Sequence, residues 1–176
     1  WWGSRGERMK KEKLQIGIVE AIAGIRAYSL SLEGVPNHAG ATPMTLRKDP
    51  LAGAAEVIAE AEEAARNCAT GSAVGTVGRI ICEPNVSNII PGKVRFTLDA
   101  RDVKTEGMDE VVEKVRSKLE NVAARRNLVA EMNLIGQSRA IWIDSKMTEL
   151  IENAARKQGS LHRRMNSGAV HDACLI

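Results

Sequence analysis

Lys93-Val94-Arg95-Phe96-Thr97-Leu98-Asp99-Ala100-Arg101, followed closely by Met108, Val111, Val112, Val115, Leu119, Val122 and Ala123, sets two periods side by side. In the first stretch polar and apolar residues alternate, so Val94, Phe96, Leu98 and Ala100 share one face of a strand. Arg95, Thr97, Asp99 and Arg101 take the other. In the second, spacings of three and four trace a single apolar stripe along a helix. A half-buried strand feeding an amphipathic helix is a unit of a two-layer α+β fold, in which helices cover one face of a sheet.

Working outward, residues 128–135 read as a further strand, and residues 73–82 as another. Pro84 and Pro91-Gly92 lie between 82 and 93, so that connection is a loop and not a tight hairpin. Asp49-Pro50 offers an N-cap and a first-turn proline to a helix carrying Leu51, Ala54, Ala55, Ile58, Ala61 and Ala65, which ends near Cys68. Residues 25–32 alternate again, with Tyr28, Leu30 and Leu32 opposite Ser29 and Ser31. The order strand, helix, strand, strand, helix, strand predicts a ferredoxin-like two-layer sandwich, a four-stranded antiparallel sheet with two helices on one face. Beyond it, Asp144 or Ser145 caps a C-terminal helix carrying Met147, Leu150, Ile151 and Ala154, closed by Gly159. Residues 160–176 open an element that they do not complete.

The chain has 176 residues, 44% apolar and 27% charged, a balance that excludes wholesale disorder. Its aromatic residues are Trp1, Trp2, Tyr28, Phe96 and Trp142, so the core is built from Ala, Val, Ile and Leu. Rings for stacking bases are scarce, and no nucleic-acid partner is expected. The net charge of +3 resides in residues 1–13, where Arg5, Arg8, Lys10, Lys11 and Lys13 face only Glu7 and Glu12. Cys68, Cys82 and Cys174 are odd in number and form no Cys-x-x-Cys pair, which reads as free thiols of a reducing, cytoplasmic compartment. No apolar run approaches the roughly 20 residues of a membrane span, and the start lacks a signal peptide's apolar stretch.

Residues that could carry chemistry are few. His38 projects from a rigid run of small residues and prolines, Gly34-Val35-Pro36-Asn37-His38-Ala39-Gly40-Ala41-Thr42-Pro43-Met44. Its composition favours a histidine bonded to backbone over a donor aimed at a substrate oxygen. Arg101 ends a strand beside Asp102, where a guanidinium fork can hold a carboxylate bidentately, although such a pair is more often a surface ion pair. Asn88, within Ser87-Asn88-Ile89-Ile90-Pro91-Gly92, either serves a ligand or closes the turn. His171-Asp172 follows Ser167-Gly168-Ala169, but sequence adjacency does not make Ser167 and His171 a nucleophilic pair. A metal centre needs three or more converging His, Asp, Glu or Cys ligands. The chain has no His-x-x-x-His and no His-x-Asp, and Glu62-Glu63 falls mid-helix, so no metal ligand is assigned.

Taken in order, these pieces resemble one family. They are Ile16-Gly17-Ile18-Val19-Glu20-Ala21-Ile22-Ala23-Gly24-Ile25-Arg26, Asn37-His38-Ala39-Gly40-Ala41-Thr42-Pro43-Met44 with Arg47 and Asp49, Gly75-Thr76-Val77-Gly78, Asn88-Ile89-Ile90-Pro91-Gly92, Arg101-Asp102 and Ser167-Gly168-Ala169-Val170-His171-Asp172-Ala173. The series is similar to the M20-type amidohydrolases, especially N-carbamoyl-L-amino acid hydrolases, allantoate amidohydrolases and ureidopropionases. The resemblance implies a metal-binding catalytic domain with an inserted lid, or dimerisation, domain. Residues 24–140 correspond to the lid, 1–23 to a basic segment and a remnant of the catalytic domain, and 141–176 to a second remnant.

It further implies hydrolysis of a carbamoyl or ureido C–N bond by a metal-activated water, with zinc, manganese, cobalt or nickel as the metal and a glutamate as general base. His38 would reach the partner subunit's active site and stabilise the oxyanion. Asn88 and Arg101 would hold the substrate carboxylate, and Ser167, Gly168 and His171 would line the substrate site. The pattern departs at Trp1-Trp2-Gly3-Ser4-Arg5, where the family has a histidine ligand, and at Val170, where it usually has glycine. The upstream His and Asp ligands, the general-base glutamate and the last histidine ligand are missing, so the chain alone is expected to bind no metal and to be inactive. Two readings follow: the lid portion of a ureido-cleaving amidohydrolase, homodimeric through that lid, or a free-standing homodimerisation module without catalysis.

Overall fold

The computed structural model describes Met9, residues 11–169 and His171. Trp1-Trp2-Gly3-Ser4-Arg5, Val170, Asp172 and Cys174 lie outside the described residues. The strands are β1 (Ile16–Ile22), β2 (Gly24–Glu33), β3 (Asn37–His38), β4 (Val74–Thr76), β5 (Ile80–Glu83), β6 (Ile89–Ile90), β7 (Lys93–Asp102), β8 (Val129–Ser138), β9 (Ile141–Trp142) and β10 (His162–Ser167). The α-helices are α1 (Pro50–Arg66), α2 (Thr105–Arg126) and α3 (Ser145–Lys157). They fall into two compact units, Gly24–Arg139 and the described parts of Trp1–Ala23 with Ala140–Ile176.

The larger unit is the expected ferredoxin-like sandwich. Its antiparallel sheet runs β4/β5, β7, β2, β8, with α1 and α2 packed on each other and on the sheet. Strict alternation in β7 buries Val94, Phe96, Leu98 and Ala100 against Leu30 and Leu32 of β2. Burying each Leu contributes about 1.5–3 kcal/mol. The α2 stripe of Met108, Val111, Val112, Val115, Leu119, Val122 and Ala123 is buried at every position.

Three expectations need correction. In α1 the buried face is Pro50, Gly53, Ala54, Val57, Ala61 and Ala64, while Leu51 and Ala55 are exposed. The helix packs closely on its neighbours at Gly53, where a Cβ would stand 3.0 Å from Leu128 and 3.1 Å from Val122. A hydrophobic pattern cannot register a glycine, and the stripe it traces is rotated accordingly. Residues 73–82 do not make one strand: β4 and β5 both pair with β7, separated by an extra residue in the register and joined through the Thr97 amide on Arg79 O. Lastly, the stripe Met147, Leu150 and Ile151 of α3 is exposed, and the helix buries Thr148 and Ala155 instead.

The smaller unit is a three-stranded sheet, with β10 parallel to β1 and β9 antiparallel to it, carrying α3. Asp144 caps α3 by accepting from the amides of Lys146 and Met147, as its sequence position suggests. Among the described residues, no helix is long and apolar enough to cross a membrane. Cys68 and Cys82 are free thiols.

A polar knot secures the turn that follows α1. The Glu110 carboxylate accepts from Lys114 Nζ at 2.6 Å, from the Ala69 amide at 3.1 Å and from Cys68 Sγ at 3.3 Å. These donors hold its pKa down at about 2, the Lys114 hydrogen bond acting most. Because the folded-state value is depressed, the stabilisation is present above the ordinary carboxylate range and is lost as pH falls from there toward about 2. The difference in melting temperature between the native protein and Glu110→Gln, followed by circular dichroism, is therefore expected to shrink between pH 5 and pH 2.5.

Candidate active-site elements

His38 is set by a ribbon too short to leave a sequence pattern. β3 pairs antiparallel with β6, which places His38 opposite Ile89 and Asn37 opposite Ile90. The Ala39 amide donates to Asn88 O at 2.9 Å, so His38 and Asn88, fifty residues apart in sequence, stand side by side. Both are exposed. The turn after His38 curls back on it, and the amides of Gly40 and Ala41 donate to its Nδ1 at 3.1 and 3.2 Å. With Nδ1 an acceptor, the ring proton belongs on Nε2, which makes Nε2–H an outward donor. That is the group an oxyanion requires.

Arg101 stands elsewhere. It pairs with Ile25 at one end of β2, whereas the chain leaves for the His38 ribbon beyond Glu33, paired with Lys93 at the other end. Eight registers separate the two positions, about 26 Å at roughly 3.3 Å per residue. The acidic partner of Arg101 is not its sequence neighbour Asp102. Asp99, two residues back on the same strand face, accepts from Arg101 Nε at 2.7 Å and Nη2 at 2.9 Å and raises the arginine's pKa, with the hydrogen bond as the main cause. Asp102 points to the opposite face and is 2% exposed. It accepts from the hydroxyls of Thr70 and Ser72 and the amides of Val103 and Lys104.

In the smaller unit Ser167 ends β10, and its Oγ lies 2.7 Å from His171 Nε2 and 3.3 Å from the Ala169 amide. The pair closes a short loop around Gly168. Among the described residues, no three His, Cys, Asp or Glu side chains converge, so the side chains present do not fit a divalent-metal site. The outward face of β7 carries Lys93, Arg95, Thr97, Asp99 and Arg101, and Phe96 is buried.

Sequence reasoning missed the β3–β6 ribbon and the Asp99 partner, while the backbone-bonded histidine it favoured at position 38 is the arrangement found. The second of these was accessible, because strand period two puts residues 99 and 101 on one face.

Comparison with known proteins places the fold in a family. The domain described as "Peptidase dimerisation domain" matches residues 21–127. The N-carbamoyl-L-amino-acid amidohydrolase of Pseudomonas sp. (strain NS671) is 37% identical over 172 residues, covering 98% of this chain and 42% of that protein. The allantoate amidohydrolase of Bacillus subtilis is 31% identical over the same length, with coverages of 98% and 42%. In structure, the chain is similar to a hydantoinase/carbamoylase family amidase from Burkholderia multivorans, with TM-score 0.90, 32% identity and coverage of 94% of this chain and 40% of that one. The chain thus spans about two fifths of the length of these relatives. By the dimerisation domain matched over residues 21–127, most of its larger unit, the chain belongs to the M20 family.

Proposed function

We propose that this chain is the lid and flanking part of an amidohydrolase that cleaves the C–N bond of N-carbamoyl amino acids or related ureido compounds. The observation that carries the reading is the His38 turn, whose backbone aims an Nε2–H donor outward beside Asn88. As water attacks the carbamoyl carbon, the oxygen gains charge, and His38 donates to it. Asn88 and Arg101 hold the substrate carboxylate, the guanidinium being oriented by its bidentate pair with Asp99. Ser167, Gly168 and His171 line the substrate in the smaller unit. A divalent ion such as zinc, manganese, cobalt or nickel would be held in the whole protein by residues other than those described, and would supply Lewis-acid activation of water.

One protomer cannot bring both ends of the same sheet to one small substrate. In a two-fold homodimer each site draws His38 and Asn88 from one copy and Arg101 from the other. Two surfaces support this assembly. β8 is an edge strand ten residues long with Val129, Leu134 and Ile135 exposed, a row of unpaired backbone groups suited to a second sheet. The His38 loop exposes Met44 and Leu46 at 76% and 70%, apolar side chains that a covering surface would bury. A cytoplasmic location accompanies this reading.

The test uses a protein carrying this chain, N-carbamoyl-L-amino acids and allantoate, and added manganese or zinc. Turnover is expected for carboxylate-bearing substrates and not for N-carbamoyl amines, with the isolated chain inactive and dimeric in sedimentation. Metal-dependent turnover by the isolated chain would overturn the division of labour. A strict monomer at high concentration would remove the shared site.

A further inference from the structure

The Arg47 side chain is spent on two neutral oxygens. Its Nη2 donates to Ala39 O at 2.5 Å and its Nε to Thr42 O at 3.1 Å. No ion pair with a carboxylate is formed by Arg47 among the described residues. An arginine that gives its fork to backbone carbonyls acts through geometry rather than charge neutralisation. The two carbonyls flank the turn that closes on His38. Inside that turn, His38 O accepts from the Thr42 amide at 3.2 Å and the Thr42 hydroxyl at 2.8 Å, and His38 Nδ1 accepts from the Gly40 and Ala41 amides. Gly40 is close enough that a Cβ there would stand 3.3 Å from His38 Cε1.

We propose that Arg47 is a positioning residue for His38: it bridges Ala39 O and Thr42 O, keeps the 38–42 turn closed, and so fixes the imidazole proton on Nε2. The relevance of this tautomer to hydrolysis rests on the reading of His38 as the oxyanion donor. The bracing itself does not. Opening the turn withdraws two amides from Nδ1, and a free imidazole distributes its proton between both nitrogens and turns about its side-chain torsions. The donor then points at the oxyanion only part of the time.

The test has a structural and a kinetic arm. With the 15N-labelled chain at pH 8, long-range proton–nitrogen correlation reads each imidazole nitrogen of the three histidines, and loss of one set in His38→Gln assigns the resonances. The native chain is expected to show an unprotonated Nδ1 and a protonated Nε2 at His38. In Arg47→Met the two nitrogens are expected to move toward a common averaged position, and the Gly40 and Ala41 amides to exchange at least about tenfold faster. Sheet amides of β2 and β7 should be unmoved, which separates the effect from unfolding. Gly40→Ala should reproduce the averaging with Arg47 in place, and Arg47→Lys should resemble the methionine variant, because an ammonium does not bridge two carbonyls as a fork does. An unchanged His38 ring in Arg47→Met, or full restoration by lysine, would overturn the proposal. In the whole protein, Arg47→Met is expected to lower kcat by about 100-fold with KM nearly constant. A ring that averages while kcat holds would leave the bracing intact and remove the oxyanion role of His38.

Discussion

Whole-protein variants His38→Ala and Arg101→Ala, each nearly inactive alone, are expected to regain about a quarter of full activity when dissociated together and allowed to reassociate. Random pairing makes about half of the dimers mixed. In a mixed dimer one site receives the intact Arg101 of the first copy and the intact His38 of the second, while the other site receives both defects. The single variants set the baseline. Loss of an oxyanion donor costs about 10²–10³ in kcat, and Arg101→Ala falls mainly on KM through the lost carboxylate fork. Activity measured before and after reassociation checks the result. Recovery no greater than the mean of the two homodimers would mean that both residues serve the same site from one copy, against the sheet-length separation between them.

The second large effect concerns stability. Asp102 is a buried carboxylate satisfied by Thr70, Ser72 and the amides of Val103 and Lys104, and it links the β4 approach to the start of α2. Removing it strands the buried Val103 amide and the half-buried Thr70 hydroxyl and unties Ser72 and Lys104, and Asp102→Ala is expected to cost about 3–5 kcal/mol. Gly107→Ala should approach that loss from the other side. A Cβ there would overlap Asp102 Oδ2 and sit 2.7 Å from Thr70 Oγ1, so the whole knot would have to shift. For a chain of this size, 1 kcal/mol moves Tm by about 2–4 °C, so each variant should melt roughly 6–20 °C lower by circular dichroism. A normal Tm in Gly107→Ala would show that the carboxylate can turn aside without losing its donors.

The parts of the fold that the sequence disclosed are those in which one element alternates or repeats without interruption. β7 and α2 expose nothing on their inner faces, and their periods are complete. Where a glycine lies on the packed face, as at Gly53, the apolar pattern points to the wrong face. β1 and β10 carry no period at all, because each is partly buried on both sides and its partner lies at the other end of the chain. The candidate site followed the same logic. His38, Asn88 and Arg101 were identifiable as residues, but the ribbon that joins the first two consists of two-residue strands held by backbone hydrogen bonds alone. Arg101 was matched to Asp102 by adjacency, when strand geometry turns adjacent side chains to opposite faces.

In the smaller unit Ile22 pairs antiparallel with Ile141. The chain departs for Gly24–Arg139 and returns from it at hydrogen-bonded neighbours, so to the smaller unit that whole sandwich is one loop of a hairpin. Loop-closure entropy rises only logarithmically, and growing a four-residue turn to such a length costs on the order of 3 kcal/mol. Six registers of β1 with β10 share that penalty with the two of β1 with β9, so the host sheet does not rest on the hairpin alone.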